Sequence, residues 1–153
     1  MESEIPLLDM LIRLLAAAGL ASLIGIEREL HNRPAGLRTH MLVSLGAAAF
    51  MLVGFEILLT SATADPSAHM DPTRVVEGVI TAIGFLGAGC IIQARGTLRG
   101  ITTGAAVWIA GAIGVSCGAG NFKLALLLTA IALLVVVVLG SFEKAFVRKH
   151  PEP

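Results

Sequence analysis

The sequence predicts an all-α membrane protein, a polytopic bundle of about five transmembrane helices that forms a single domain over residues 1–153. Composition is one reason, because 56% of the residues are hydrophobic and only 14% are charged, whereas a water-soluble domain is about 25% charged. The other is the pattern of apolar stretches, each near the ~20 residues that cross a bilayer. These stretches lack the alternating apolar–polar period of barrel strands, so we expect helices.

The predicted helices follow one another with short connections. They cover residues 7–26, 39–59, 74–92, 101–118 and 122–141. Pro34 and Gly36 prevent the first connection from continuing as helix. Asp71 followed by Pro72 predicts the start of the third helix, since Asp is a good N-cap and Pro suits the first helical position.

Lysine and arginine predict the orientation of the bundle. With five spans, one side of the membrane receives the first and third connections and the C-terminal tail, which carry Arg28, Arg33, Arg38, Arg95, Arg99, Lys144, Arg148 and Lys149. Basic residues in short loops favour the cytoplasmic side. We therefore expect the N-terminus outside and the C-terminus in the cytoplasm.

The predicted outer side is acidic. It holds Glu2, Glu4, Asp9, Glu56, Asp65, Asp71 and Glu77 against three basic residues, Arg13, Arg74 and Lys123. Four of these acids, Asp9, Glu56, Asp71 and Glu77, lie near predicted helix ends and form a candidate metal site. In one interpretation they line a shallow vestibule for a proton or for Mg²⁺, which takes oxygen ligands and keeps several waters. In the other, Arg13 and Arg74 neutralise them as structural ion pairs.

The predicted inner side has a charged segment where the first helix leaves the membrane. It contains Glu27, Arg28, Arg33, Pro34 and Arg38. Glu27 and His31 have the i, i+4 spacing of a helical pair, and we expect Arg28 to pair across helices or with lipid. The segment is either a docking surface for a partner or an anchor to anionic lipid, which attracts each base by about 1 kcal/mol.

Small residues predict close helix packing in the second half of the chain. The candidate packing residues are Gly84, Gly87, Gly100, Thr102, Thr103, Gly104, Gly111, Gly114 and Gly118. The alternative for "GFLGAG" is a break in the third helix that lines a cavity with carbonyls. Trp108 lies at mid-span, so we expect it to fill the core. Cys90 and Cys117 fall at opposite ends of their helices, too far apart for a disulfide.

The sequence contains no pattern typical of an enzyme or of a nucleic-acid-binding protein. No Ser/His/Asp or Cys/His arrangement falls at one depth, and no phosphate-binding loop follows a strand, so we do not expect an enzyme. The basic clusters are short and lack interleaved aromatics, so nucleic-acid binding is not expected either.

Three segments resemble the MgtC/SapB family of bacterial inner-membrane proteins: "GIERELHNRPAGLRTHMLVSLGAAAF", "DPTRVVEGVITAIGFLGAGCII" and "GITTGAAVWIAGAIGVSCGAG". The resemblance runs from about Leu11 to Thr129. It implies a polytopic inner-membrane domain linked to growth under magnesium limitation and to survival inside host cells. Members are often labelled magnesium transporters, but the resemblance favours a regulator that binds membrane complexes such as the proton-translocating ATP synthase.

Two departures from the family qualify this expectation. Longer members carry a cytoplasmic C-terminal domain, whereas this chain ends at Pro153, so we expect the N-terminal transmembrane domain alone. Many relatives have Gln in place of Glu77, while Asp71 and the charged inner segment match the family motifs. The sequence thus predicts a non-enzymatic regulator that forms a homo-oligomer, expected to be a dimer, in the bilayer, with a direct Mg²⁺ or proton transporter as the alternative. No cofactor other than Mg²⁺ is a candidate.

Overall fold

The computed structural model describes residues 5–64, 71, 73–94 and 97–140. Its elements are α1 (Leu7–Leu30), α2 (Leu37–Ala64), α3 (Thr73–Gly89), β1 (Ile92–Ala94), β2 (Thr97–Arg99), α4 (Ile101–Gly118) and α5 (Phe122–Leu134), which continues as a π-helical turn (Val135–Leu139). The predicted helical membrane fold is confirmed. Four helices of the described part, α1, α2, α4 and α5, are long and apolar enough to cross a bilayer, and α3 is shorter at 17 residues.

Several residues of the predicted charge map lie outside the described residues. They are Glu2, Glu4, Asp65, Arg95, Lys144, Arg148 and Lys149, and Pro72 of the predicted α3 start is also outside them.

The fourth helix has its predicted bounds, 101–118, whereas the other helices have ends that differ from the predicted ones. α1 continues to Leu30 and α2 to Ala64, because a helix does not end where its apolar run ends. α3 ends at Gly89, since the chain turns there into an antiparallel hairpin in which Ile92 pairs with Arg99. Three-residue strands are too short to leave an alternating pattern, so the hairpin was not predicted.

α4 is the central helix and contacts α1, α2, α3 and α5. Its buried side chains are mostly small, which allows neighbouring backbones to approach closely. A Cβ on Gly104 would lie 2.6 Å from the Gly87 carbonyl oxygen of α3, and one on Gly118 would lie 2.7 Å from the Ala48 carbonyl oxygen of α2. Gly114 meets the Ser44 carbonyl in the same way.

Other predicted packing positions have different environments. Gly111 lies against the Ile83 side chain, whereas nothing lies within 4 Å of a Cβ built on Gly84. Gly100 has a φ of 90° and is the N-cap of α4, so its freedom serves the turn from the hairpin. Thr103 is buried, while Thr102 is exposed.

Three further expectations have clear outcomes. α3 is continuous through Gly84 and Gly87, so the alternative of a broken helix is wrong. The expectation that Trp108 fills the core is also wrong, because it is 44% exposed on the outer face of α4. Cys90 and Cys117 are both free, as predicted.

The bundle has two distinguishable ends. The side chains of Asp9 and Arg13 near the start of α1 lie beside the end of α4, and we call this the Arg13 end. Arg28 near the end of α1 lies beside the start of α4, and we call this the Arg28 end. Because the last turn of α3 packs against Gly104, Asp71 at the opposite end of α3 belongs to the Arg13 end. That the Arg28 end faces the cytoplasm stays a prediction.

Candidate functional site

A buried arginine joins α1 to α4 at the Arg28 end. Arg28 is 4% exposed, and its Nη2 donates a hydrogen bond of 3.1 Å to Thr103 Oγ1. Its Nε is also buried and has no hydrogen-bond partner among the described residues. Burying a charged group costs free energy unless the group is paired or hydrogen-bonded. Arg28 therefore ties the two helices together by a contact that the sequence could not assign.

Glu27 faces both the surface and the interior. Its Oε1 lies 3.0 Å from His31 Nδ1, so the predicted i, i+4 pair is confirmed. Its Oε2 is buried and, within the described chain, lacks a hydrogen-bond partner. The carboxylate thus offers one unused acceptor next to Arg28.

His40 is a fully buried histidine in the first turn of α2. It reaches α1 because Gly25 has no side chain: a Cβ there would lie 3.2 Å from His40 Cβ and 2.7 Å from Leu37 Cα. His40 Nδ1 lies 2.9 Å from the Gly36 carbonyl oxygen, while Nε2 is buried without a partner among the residues described. His40 was not predicted as a functional residue; it lies in the first turn of α2, directly before the apolar run that begins at Met41.

A side chain of α1, Glu29, stabilises the turn between α1 and α2. Glu29 Oε2 accepts a hydrogen bond of 2.7 Å from the Leu37 amide, so it caps α2. Asn32 takes a φ of 52°, a left-handed turn conformation that asparagine tolerates well. Arg33, Pro34 and Arg38 are exposed on this turn and the start of α2, where a partner or a lipid headgroup could meet them.

At the Arg13 end, an ion pair caps α4. Arg13 Nη2 lies 2.7 Å from Asp9 Oδ2, and Nη1 donates a hydrogen bond of 2.8 Å to the Gly118 carbonyl. The last carbonyls of a helix have no partner within it, so this bond satisfies one of them. Asp9 is therefore engaged by Arg13, as the structural interpretation expected.

The other predicted metal ligands are dispersed. Asp71 Oδ1 accepts hydrogen bonds from the Thr73 hydroxyl at 2.7 Å and the Thr73 amide at 2.9 Å, so the predicted N-cap is confirmed. These two bonds hold the pKa of Asp71 below its ordinary value, because they favour the carboxylate. Glu77 is exposed and Glu56 is half-buried. Among the described residues, no three potential metal ligands form a group.

The middle of the bundle is apolar and closely packed. Its core consists of Ala17, Ile24, Ala48, Ile113, Cys117 and Ala125. The buried hydroxyls there bond to carbonyl oxygens: Ser44 to Ala17 across helices at 3.0 Å, and Ser116 and Thr129 within their own helices at 2.8 Å. In the described residues, no polar side chains connect the Arg13 end to the Arg28 end.

An apolar groove of about 220 Å³ runs between α1, α4 and α5. Thr102, Ala105, Ile109, Leu128 and Val135 are among its lining residues. Its surface suits acyl chains or an apolar helix better than a polar ligand.

Comparison with known proteins places the chain in a family. The MgtC family model matches residues 14–145. The chain is 38% identical over 145 residues to the putative magnesium transporter YhiD of Escherichia coli K12, covering 93% of this chain and 66% of the relative. It is 41% identical over 139 residues to protein MgtC of Salmonella typhimurium, covering 91% of this chain and 56% of the relative. An uncharacterized protein of Synechocystis is 37% identical over 143 residues, covering 94% and 57%.

The chain therefore belongs to the MgtC family and is a multi-pass membrane protein. It spans 56 to 66% of the length of these three relatives. No solved structure matches it.

Proposed function

We propose that this member of the MgtC family is a non-enzymatic regulator that acts through other proteins of the bacterial inner membrane, in adaptation to magnesium limitation. One observation carries the proposal: the charged side chains of the described bundle lie only at its two ends. Ile24, Ile113 and Cys117, each at most 1% exposed, close the space between those ends. An ion crossing this space would meet no charged group among the described residues, and the buried hydroxyls there are already bonded to carbonyl oxygens.

A surface for a membrane partner lies on the face of α3 that points away from the bundle. The helix buries Val79, Ile83 and Gly87 against the bundle. The opposite face exposes Arg74, Gly78, Thr81, Phe85 and Ala88, and we call these five residues the α3 seam.

The α3 seam has the composition of a helix contact. Its residues are spaced by four, three, four and three positions, the heptad repeat of helices that pack along their length. The exposed face of α5 is different, since it carries large aliphatic residues such as Leu127, Ile131 and Leu134, which suit lipid. Small residues on an outer face favour a protein neighbour, because lipid tails gain nothing from them.

We propose that the neighbour is a second copy of the chain or another membrane complex. In a dimer about a two-fold axis along the membrane normal, Arg74 of one copy lies at nearly the depth of Glu77 of the other, so the two charges could pair reciprocally. Within the described chain Glu77 has no ion pair, which leaves it available. The family resemblance suggests the proton-translocating ATP synthase as a larger partner.

Direct transport of Mg²⁺ or protons is the second candidate function. The printed name of the YhiD relative, a putative magnesium transporter, favours it, and so does the acidic Arg13 end. Against it, Asp9 is paired with Arg13 and Asp71 caps α3.

Two experiments separate the candidates. The purified chain is placed alone in liposomes, and uptake is followed with Mg²⁺- and proton-sensitive dyes; flux above that of empty vesicles would overturn the regulator proposal. In cells, cross-linking measures contact with a partner, and rescue of growth in low magnesium measures function.

A matched pair of variants tests the α3 seam. Built Cβ atoms at Gly78 of α3 and Gly46 of α2 both have nothing within 4 Å, so a side chain can start from either position without a clash at its Cβ. We expect Gly78→Leu to lose cross-linking and rescue, and Gly46→Leu to keep both. Equal behaviour of the two variants would contradict the assignment of the surface to α3.

A further inference from the structure

The apolar groove between α1, α4 and α5 is confined to one half of the bundle. It begins at Thr102 in the first turn of α4 and reaches Ile109, halfway along that helix. On α5 it extends from Leu128 to Val136, in the second half of the span. α1 contributes Ile24, near the end of that helix. The groove therefore lies at the Arg28 end and stops near the middle of the membrane helices.

The other half of the same three helices is closed. Ala17 of α1, Cys117 of α4 and Ala125 of α5 are fully buried there, and Leu14 and Phe122 pack against them. A helix from another membrane protein would continue along α4 and α5 for the whole ~30 Å of the hydrocarbon core. A groove that ends at mid-depth instead fits an occupant that belongs to one leaflet.

The length and the lining of the groove fit one acyl chain. From Thr102 to Ile109 the helix rises by roughly 10 Å, which lies within the ~15 Å that one leaflet contributes to the hydrocarbon core. Apart from Thr102, the described lining side chains are those of alanine, isoleucine, leucine and valine. The small side chains of Ala105 and Ala132 leave a space of about 220 Å³ between their larger neighbours.

The end of the groove at the membrane surface is positively charged. The exposed acidic and basic side chains described at the Arg28 end are Arg33, Arg38 and Arg99 against Glu29. Arg99 precedes Thr102 by three residues, so the Cα atoms of the two residues are at most about 11 Å apart. A guanidinium can bind a phosphate through two hydrogen bonds. A lipid whose chain fills the groove would therefore have its headgroup beside an arginine.

We propose that the groove binds one acyl chain of an anionic phospholipid and that Arg99 binds the phosphate of its headgroup. The proposal goes beyond the regulator function and does not depend on it. Basic sites between membrane helices select anionic headgroups. A zwitterionic lipid brings the same chain and the same phosphate, but its cationic group is repelled by the arginines of this end.

Native mass spectrometry of the full chain in detergent tests the proposal. The delipidated protein is titrated with phosphatidylglycerol and, separately, with phosphatidylcholine that carries the same acyl chains. We expect one phosphatidylglycerol molecule to bind each chain about fivefold more tightly than phosphatidylcholine, the effect of one basic residue near an anionic headgroup. Equal binding of the two lipids, or retention of neither, would overturn the proposal.

A first pair of variants tests the headgroup contact. Arg99→Gln should lower the affinity for phosphatidylglycerol about fivefold, to the level of phosphatidylcholine, and leave phosphatidylcholine binding unchanged. Arg33→Gln is the matched control, because Arg33 is also exposed but belongs to the turn between α1 and α2, which contributes no residue to the groove. We expect Arg33→Gln to keep the preference. Equal losses in the two variants would show that the overall charge of this end is recognised, and would remove Arg99 from the site.

A second pair tests the position of the chain. Ala105→Leu places a larger side chain in the groove, and displacing about two methylenes from apolar contact should weaken the binding of both lipids roughly tenfold. Ala130→Leu, at an exposed alanine of α5 that does not line the groove, should bind as the wild type does. Thermal unfolding first establishes that each variant is folded. If Ala105→Leu kept the lipid and lost a second copy of the chain from the same spectrum, the groove would hold a protein helix and the proposal would be wrong.

Discussion

Replacing Thr103 with valine tests whether the bond between α1 and α4 stabilises the bundle. Valine has nearly the shape of threonine but no hydroxyl, so the substitution removes the acceptor of the 3.1 Å bond from Arg28 Nη2 and little else. Because Arg28 is buried, the freed N–H cannot turn to solvent. A hydrogen bond to a charged group contributes about 1.5–3 kcal/mol, and this is the expected loss in the free energy of unfolding.

The loss is measurable as a shift in thermal unfolding. For a chain of this length about 1 kcal/mol corresponds to roughly 2–4 °C, so Thr103→Val should lower the midpoint by about 3–12 °C. Circular dichroism of the detergent-solubilised protein at the helical bands follows the transition.

Thr102→Val is the matched control. Thr102 precedes Thr103 in the first turn of α4 but is exposed on the apolar groove, so valine there should change stability by no more than about 0.5 kcal/mol. If both variants unfolded at the same temperature, the bond to Arg28 would contribute nothing, and the description of the Arg28 end as a stabilising polar junction would be refuted.

Three further predictions concern packing and capping and use the same unfolding measurement. Gly114→Ala forces α4 away from α2, so this variant should be about 1–3 kcal/mol less stable than the control Gly46→Ala, whose Cβ has nothing within 4 Å. Equal stability of the two variants would show that the contact between α4 and α2 relaxes freely. Arg13→Gln removes both the ion pair with Asp9 and the hydrogen bond to Gly118, so the free energy of unfolding should fall by about 1–2 kcal/mol. An unchanged unfolding midpoint would contradict this prediction. Because the pKa of Asp71 is lowered in the folded chain, its cap is fully present above the ordinary aspartate range and is lost as the pH falls through the folded value. Acid should therefore destabilise the wild type more than Asp71→Asn, and identical pH profiles would contradict this role.

The helices could be predicted because burial in lipid leaves a strong local signal. Each apolar run is long enough to be recognised without its neighbours, and the N-cap at Asp71 is also local, since its partner Thr73 is two residues away. The two-stranded hairpin was missed because its strands of three residues are shorter than any pattern they could display. The continuation of α1 to Leu30 was missed because backbone hydrogen bonds continue where hydropathy changes.

The polar junction was only partly predictable. Glu27 and Arg28 stood out as charges beside an apolar run, yet the partner of Arg28 lies 75 residues away, and Thr103 could not be distinguished from Thr102 by type or position. Trp108 was misplaced for the same reason. Its depth in the membrane is a matter of sequence position, but the side of α4 that it occupies depends on how the helix is rotated.

By itself, the sequence determined that this chain is a bundle of membrane helices, where those helices lie along the chain, and which connections are basic or acidic. These properties depend on residues close to one another in the chain and on their transfer between water and lipid. The tertiary structure alone decided that Arg28 meets Thr103, that His40 is buried over Gly25, and that α3 exposes Gly78, Thr81 and Ala88. Helix rotation and crossing determine such contacts, and they follow from the packing of all the helices together.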